Sequence, residues 1–587
     1  MSVHRALHSL SALGVLLACA LLVAMPTASA KEGSRYRAPA TGKLGVIATE
    51  SPAAARVGRR VLERGGNAID AAVSTAFVLN AARPQSCGIG GGGFLVYRGA
   101  DGRTAALDFR EKAPSRFTPD VFKRTGLHET FTGHLAVGVP GTVAGLNAAL
   151  RRYGTIGLSE AIRPAQTLAR RGVRVSPSLA KASADNAERL ALFSAAKRQF
   201  LPGGKPLEAG ALLRQPDLAR TLGLIRRDGP KAFYRGEIAR RIVADMNATR
   251  RQPIAGDAAR LIRRDLARYQ AKWRRPLIGS YRGRRIVTMP PPTSGGVAIL
   301  QMLNVLEGLG LRKAGKSSAD SLHSIIEAQK LAFADRGEYV ADPDFVKVPT
   351  RRLISKSYAA RRRALIDPAR AGSYKPGLGD RAQIAGAEKR GEGTTTHLSV
   401  IDRAGNAVAL TCTIEQEFGS AVVAPGTGFL LNNEMTDFGE PGSANQPQAG
   451  KRPRSSMAPL IAVQNGRPIA VVGGAGGSRI IMGVLFAALN RIEFGRDLAH
   501  AIDDERLDAR GVPMGDPILV EGARLAAGVL ADLRARGHVF EDEGEYAERP
   551  RVQAVGFAGR RGKQKLAVSD SRTDFASLAE RPRHRRR

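Results

Sequence analysis

The sequence predicts a layered fold of mixed α and β structure, and three observations carry that prediction. Helical stretches such as Ala53 to Ala82 alternate with short apolar strands such as Gly93 to Tyr97 and Ala105 to Phe109. Glycine-rich runs, GIGGGGF (Gly88 to Phe94) and GVPGTVAG (Gly138 to Gly145), sit where a strand meets a helix. Hydrophobic residues make up 43% of the 587 residues, and the 66 Gly and 32 Pro follow no collagen-like period, so the chain has the composition of a globular protein with a sizeable core.

Taken in order, the chain opens with an address. Residues 1–30 combine a basic start (Arg5), an apolar run from Leu13 to Met25 and small residues at Ala28-Ser29-Ala30, the pattern of a secretory signal peptide, with the mature chain starting at about Lys31. A lipid anchor at Cys19 is the alternative, disfavoured because the apolar run continues through Leu21, Leu22 and Val23. No later stretch reaches the roughly 18 consecutive apolar residues of a membrane span. The expected location is therefore periplasmic or extracellular. Between Arg226 and Arg285 the chain is basic and helical in pattern, read as a solvated face rather than a polyanion site. MPPPTSGG (Met289 to Gly296) reads as a rigid turn before a helix, and Asp367 to Gly393 as an exposed segment. The arginine-rich tail, residues 581–587, reads as a disordered solvated end.

The charge is lopsided: 90 Lys+Arg against 53 Asp+Glu, a net +37. Alone it suggests a polyanion partner, but export argues against nucleic acid and leaves at most weak association with an anionic envelope. Three cysteines are too few for a disulfide scaffold, and no C-x-x-C or H-x-E pair marks a zinc site.

After the exposed segment the character changes. TTHLSVID, RAGN and AVALTCTI read as a β-hairpin turning at Gly405 and Asn406. A three-residue loop over 403–405 pairs 402 with 406 and places Thr395 opposite Thr413, with a one-residue slip as the alternative register. Two hydroxyls meeting at the start of a strand suggest a nucleophile with a supporting group. A Thr hydroxyl needs a base, and one solution is the residue's own α-amine once the Thr begins a chain. Such an amine titrates near ~7.7 to 8.0 and accepts a proton near neutral pH. A mid-chain Thr would first have to be exposed by a cut.

The block TTTHLSVIDRAGNAVALTCTIEQEFGS, followed by LLNNEMTDF, KRPRSSMAP and GGAGGSRI, resembles the γ-glutamyltransferase family of N-terminal-nucleophile hydrolases. The likeness extends upstream through GIGGGGF, LDFREKAP, GVPGTVAG, MPPPTSGG and ADRGEYVADPDFVKVP, in family order over nearly the whole mature chain. It implies a four-layer αββα sandwich. It also implies autocatalytic cleavage between Thr394 and Thr395, giving a large subunit 31–394 and a small subunit 395–587 that assemble as a heterodimer. Thr395 then matches the nucleophile and Thr413 its supporting threonine. Alignment to His397 favours Thr395 over its two threonine neighbours.

The resemblance further implies a site for a zwitterionic γ-glutamyl group. Arg110 matches the carboxylate-binding arginine, whose planar fork suits bidentate pairing; Ser455 and Ser456 match paired hydroxyl donors to the same carboxylate. Glu434 and Asp437 match the ammonium-binding acids, and Gly476 and Gly477 the backbone donors of the oxyanion hole. The implied chemistry is hydrolysis of glutathione and related γ-glutamyl amides, or transfer of the acyl group to amino acids or peptides, with no metal or organic cofactor. Two departures stand out: Glu415 occupies a place near the substrate amine where many members carry Asn, and the stretch from Asp437 to Pro453 is short, so a covering lid is expected to be missing. His397 is expected to make a structural hydrogen bond. Cys412 is read as a buried thiol, with a disulfide to Cys87 as the alternative. The rival activities are an acylase acting on glutaryl-β-lactams or poly-γ-glutamate, and, from another class, an unprocessed basic envelope-binding protein.

Overall fold

Antiparallel pairing builds two seven-stranded sheets in this computed structural model, which describes residues 38–118, 131–248, 261–379, 393–509, 517–558, 563–574 and 576–581. The signal segment, the segment 380–392 and the tail beyond residue 581 lie outside the described residues. One sheet runs in the order Ala576–Ala579, Val46–Thr49, Thr396–Ile401, Ala407–Thr413, Gly92–Arg98, Thr104–Asp108, Lys272–Arg274. The other runs Ala40–Gly42, Lys565–Ser569, Arg551–Phe557, Arg467–Ala475, Leu460–Gln464, Arg284–Thr288, Leu277–Tyr281. The strands Thr396–Ile401 and Ala407–Thr413 pack across onto Arg467–Ala475 of the facing sheet. Helices cover the outer faces: Pro52–Glu63 and Ala68–Ala82 on the first sheet, Gly295–Leu306 and Ile480–Ile492 on the second. The expected four layers are thus present.

The helical stretch read as Ala53 to Ala82 is two helices. Pro52–Glu63 starts at Ser51, whose side chain accepts from the Ala54 N–H, and ends before Gly65, which adopts φ +97°. Ala68–Ala82 restarts with a capping box in which Asn67 and Asp70 each accept the other's backbone N–H. All fifteen residues of this second helix are buried, which explains its lack of a polar face. The basic stretch 226–285 corrects the sequence reading in its second half. Helices persist to Met246 and over Arg263–Ala267, but Lys272–Arg274 and Leu277–Tyr281 are edge strands and Arg284–Thr288 is the strand next to the second of them.

The hairpin has the anticipated register. Thr396 pairs with Cys412 and Ile401 with Ala407, and the Asp402 N–H donates to Asn406 O at 3.0 Å. Gly405 supplies the left-handed turn residue at φ +95°. Strand alternation then divides the side chains. Leu398, Val400, Val408, Leu410 and Cys412 join the apolar cluster under the helix Ala68–Ala82, whereas His397, Ser399, Thr411 and Thr413 carry the opposite parity and face the other sheet.

Candidate active site

Thr395 sits immediately before its strand, 4% exposed, and its hydroxyl donates to Thr413 Oγ1 at 3.4 Å. Thr413 Oγ1 also accepts the Glu415 N–H at 2.8 Å, so the supporting hydroxyl is itself fixed by the turn that follows. Thr394 turns away: its hydroxyl donates to Gln85 O at 3.3 Å and its N–H to Glu415 O at 2.8 Å. Thr396 Oγ1 lies 2.7 Å from Ser86 Oγ on the helix side. Of the three threonines only Thr395 lines the pocket described below.

His397 points between the sheets. Nδ1 lies 2.8 Å from Thr411 Oγ1 and Nε2 2.9 Å from Ser399 Oγ. Burial pushes its pKa down to about 3, so the ring is neutral and spent on structural hydrogen bonds. A Cβ on Gly473 of the facing sheet would overlap this ring, so the glycine there is a spatial requirement.

Arg110 follows the strand Thr104–Asp108 and is 1% exposed. Its backbone is pinned by the Tyr269 hydroxyl, which donates to Arg110 O at 2.8 Å. Its guanidinium forks onto Glu434 and Asp437 and also donates to Pro453 O at 3.3 Å and Arg454 O at 3.2 Å. Burial pulls the Arg110 pKa down, but Glu434, Asp437 and Glu111 outweigh it and hold the group above the ordinary arginine range. The acids are short of positive charge. Burial, then the Asp437 charge, lifts Glu415 well above the carboxylate range; burial does the same to Glu434 against the pull of Arg110, and Glu111 is pushed up to about 7, again mainly by burial. Glu415 holds a strained φ of +76°, and its Oε2 is buried with no hydrogen-bond partner among the described residues.

The acid turn is positioned by distant motifs. Asn432 Nδ2 donates to Gly90 O at 2.7 Å and Gly138 O at 2.9 Å, and its Oδ1 accepts from the Gly138 N–H at 2.9 Å. One side chain therefore ties LLNNEMTDF to both glycine motifs. Ser455 and Ser456 lie on a segment held by the start of the Gly295–Leu306 helix: the Ser294 N–H donates to Ser455 O at 2.8 Å. Arg336 donates to Ser456 Oγ at 2.8 Å and to Ser294 Oγ at 2.7 Å. Gly476 and Gly477 end the strand Arg467–Ala475 with φ of +129° and +58°. A Cβ on Gly393 would stand 3.0 Å from Gly477 Cα, so the chain just before the two threonines runs against this glycine pair.

One pocket collects these parts. Arg110, Gly393, Thr395, Thr413, Glu415 and Glu434 line it together with Asp437, Ser455, Ser456, Met457, Gly477, Ser478 and Ile480. Of the residues singled out in the sequence, Gly476 and Thr394 do not line it. The stretch after Asp437 folds on itself, with Gly439 N–H donating to Asn445 O at 2.9 Å and Lys451 Nζ to Ala444 O at 2.6 Å. Glu111 and Arg336 stand inside the motifs LDFREKAP and ADRGEYVADPDFVKVP, which assign neither a role. The available signal for Glu111 was an acid directly beside Arg110 in a charged stretch that also holds Asp108 and Lys112; nothing marked Arg336. Among the described residues one set of metal-type donors meets, His323, Glu327 and His538. It lies outside the pocket, and the Lys330 ammonium donates to Glu327 at 2.8 Å, supplying a cation there already.

Cys87 and Cys412 form a disulfide, which corrects the reading of Cys412 as a free buried thiol. The side chain does leave the Thr411 and Thr413 face as alternation requires. What sequence could not supply was the pairing of Cys412 with Gly93, which brings the turn carrying Cys87 onto the same face.

A profile of the Gamma-glutamyltranspeptidase family matches residues 54–579. This chain belongs to the γ-glutamyltranspeptidase family. Within it, the glutathione hydrolase proenzyme of Escherichia coli K12 is 40% identical over 500 residues, covering 82% of this chain and 83% of that protein. An acylase ACY 1 proenzyme of a Pseudomonas species (strain V22) is also 40% identical, over 511 residues, covering 85% and 88%. The crystal structure of a cephalosporin acylase from Bacillus halodurans superposes with a TM-score of 0.83 at 30% identity, over 96% of this chain and all of that one. This chain is thus similar both to proteins named as glutathione hydrolases and to proteins named as acylases, and the choice between the two readings rests on the pocket.

Proposed function

We propose that this protein is an exported, self-cleaving γ-glutamyltransferase acting on glutathione and other γ-glutamyl amides. The observation that carries the proposal is the charge imbalance of the pocket: Arg110 faces Glu415, Glu434, Asp437 and Glu111, Arg189 adds its charge near Glu415 from outside the pocket, and still Glu415, Glu434 and Glu111 are held above the ordinary carboxylate range. A ligand bringing one carboxylate and one ammonium corrects it. The carboxylate takes over the Arg110 fork and the Ser455 and Ser456 hydroxyls, and the ammonium replaces the arginine as partner of the released acids. A glutaryl group brings only the carboxylate and would leave the buried acids to be neutralised by protons, with no cation to pair with them. The acylase reading is weaker for that reason.

Chemistry follows from the nucleophile's surroundings. Cleavage of the Thr394–Thr395 bond frees an α-amine on Thr395, and Thr413 orients the hydroxyl by the bond it already makes. The amine takes the hydroxyl proton as Oγ1 attacks the γ-carbonyl, and the oxyanion is received by the Gly476 and Gly477 N–H groups. The amine then returns the proton to the leaving amide nitrogen. Water, or the amine of an amino acid or peptide, attacks the resulting ester, and Oγ1 regains its proton. With the short segment after Asp437 folded on itself, water has access and hydrolysis accompanies transfer.

The test pairs a denaturing gel with γ-glutamyl and glutaryl anilides as donors. Under reducing conditions wild type should run as two pieces, and it should prefer the γ-glutamyl donor by at least tenfold in kcat/KM, while Thr395→Ala should remain whole and inactive. A preference for the glutaryl anilide would move the assignment to an acylase. An uncut, inactive wild type would end the enzyme reading.

A further inference from the structure

We propose that the two subunits are joined by a disulfide, Cys87 on the large to Cys412 on the small, which holds the turn Arg83–Cys87 against the nucleophile strand after the cut. The inference rests on the cleavage reading above and adds a covalent architecture to it. The two cysteines are 325 residues apart, and the Thr394–Thr395 bond falls between them. Once that bond is hydrolysed, the Cys87–Cys412 bond is the remaining covalent link.

Its placement is specific. Cys412 is the cross-strand partner of Thr396 and the neighbour of Thr413. Cys87 closes a turn, its N–H donating to Arg83 O at 3.3 Å. That turn touches the nucleophile segment twice: Gln85 O accepts from Thr394 Oγ1, and Ser86 Oγ meets Thr396 Oγ1. Before cleavage both contacts belong to one continuous chain. Afterwards Thr394 is the end of the large subunit while Thr396 belongs to the small one, and only the disulfide covalently fixes the turn to the strand bearing Thr395. Cys87 and Cys412 are thus positioning residues.

Both sulfurs belong to residues 1% exposed. Thiol–disulfide exchange requires a thiolate to reach a sulfur, so the folded bond is shielded from thiols, including that of the proposed donor. The bond must therefore form before burial. The two cysteine thiols exchange with the disulfide of an oxidising protein in the exported compartment: one S–S bond forms in the enzyme, the oxidant's S–S bond is reduced to two thiols, and the electrons and protons balance.

The experiment uses the full-length exported protein, denatured in the presence of a maleimide. Without reductant, wild type should run as one band at the mass of the whole mature chain; with reductant, as a larger and a smaller band. Two bands under both conditions would overturn the link while leaving cleavage intact. One band under both conditions would overturn cleavage, and with it the link between subunits. Millimolar reduced glutathione added to folded enzyme should leave the single non-reduced band unchanged. A second measurement separates covalent joining from ordinary packing. The urea midpoint of activity loss should be independent of protein concentration for the linked wild type, and should rise with concentration for the cleaved Cys87→Ala/Cys412→Ala variant, which dissociates into two chains. A concentration-independent midpoint in the cleaved variant would count against a tethering role. The positioning role predicts a several-fold lower kcat in that variant with donor KM within about twofold; unchanged kcat would overturn it.

Discussion

Arg110 concentrates the argument of the site in one side chain, since its charge is affordable in the interior only because acids surround it. Arg110→Lys keeps the charge but loses the fork, and donor KM should rise on the order of 10²-fold with a smaller change in kcat; steady-state kinetics on a γ-glutamyl anilide checks this. Glu111 offers a cleaner electrostatic test. Its carboxyl is lifted from an ordinary 4.5 to about 7 in the fold, so the unfolded chain releases that proton at lower pH than the folded one. Native stability therefore falls as pH rises through this window and stays lower above it. Glu111→Gln cannot ionise: relative to wild type it should gain on the order of 3 kcal/mol above pH 7 and nothing below pH 4.5, read from urea unfolding at both ends. With the His397 pKa depressed to about 3, the kcat profile should rise with an apparent pKa near 7.7 to 8.0, that of an α-amine. A limb near 6.5 instead would assign the base to a histidine.

At the scale of elements, the glycine run Gly88 to Phe94 acquires a physical reason. It crosses the end of the Ala407–Thr413 strand so closely that a Cβ on Gly91 would overlap Thr413 O, and one on Gly93 would overlap Thr411 O. Gly91→Ala should therefore push the supporting threonine away from Thr395 and lower kcat by at least tenfold, with a loss of about 1–3 kcal/mol in stability; kinetics and thermal unfolding measure the two effects separately. Much of this arrangement was legible beforehand. A three-residue turn gave the hairpin register that the structure adopts, with a slip of one residue left open by the sequence. The residues of the pocket were legible through motif order. Contacts between segments far apart in the chain were not: the Asn432 stitch, the Arg336 support of Ser456 and the Cys87–Cys412 bond all depend on which strands become neighbours, and local pattern carries no information on that. The second half of the basic stretch was misread because arginines at strand rims and on helix faces look alike in sequence.

For the molecule as a whole, the +37 charge lies mostly outside the pocket, where acids predominate. A donor of net negative charge is attracted from a distance and then sorted locally by its ammonium. Raising ionic strength from about 10 mM to 0.5 M should lower kcat/KM for such a donor several-fold while leaving kcat nearly unchanged; a neutral donor should show little effect. The order of strands in the first sheet has a consequence of its own. Val46–Thr49 and Gly92–Arg98, from before the proposed cut, flank Thr396–Ile401 and Ala407–Thr413, from after it, like fingers of two clasped hands. The two strands from after the cut pair with each other, but each of the four has a neighbour from the other side of the cut. Two halves translated from separate messages should therefore each expose strand edges that the other covers, and whether their coexpression restores activity measures how far they can still find one another.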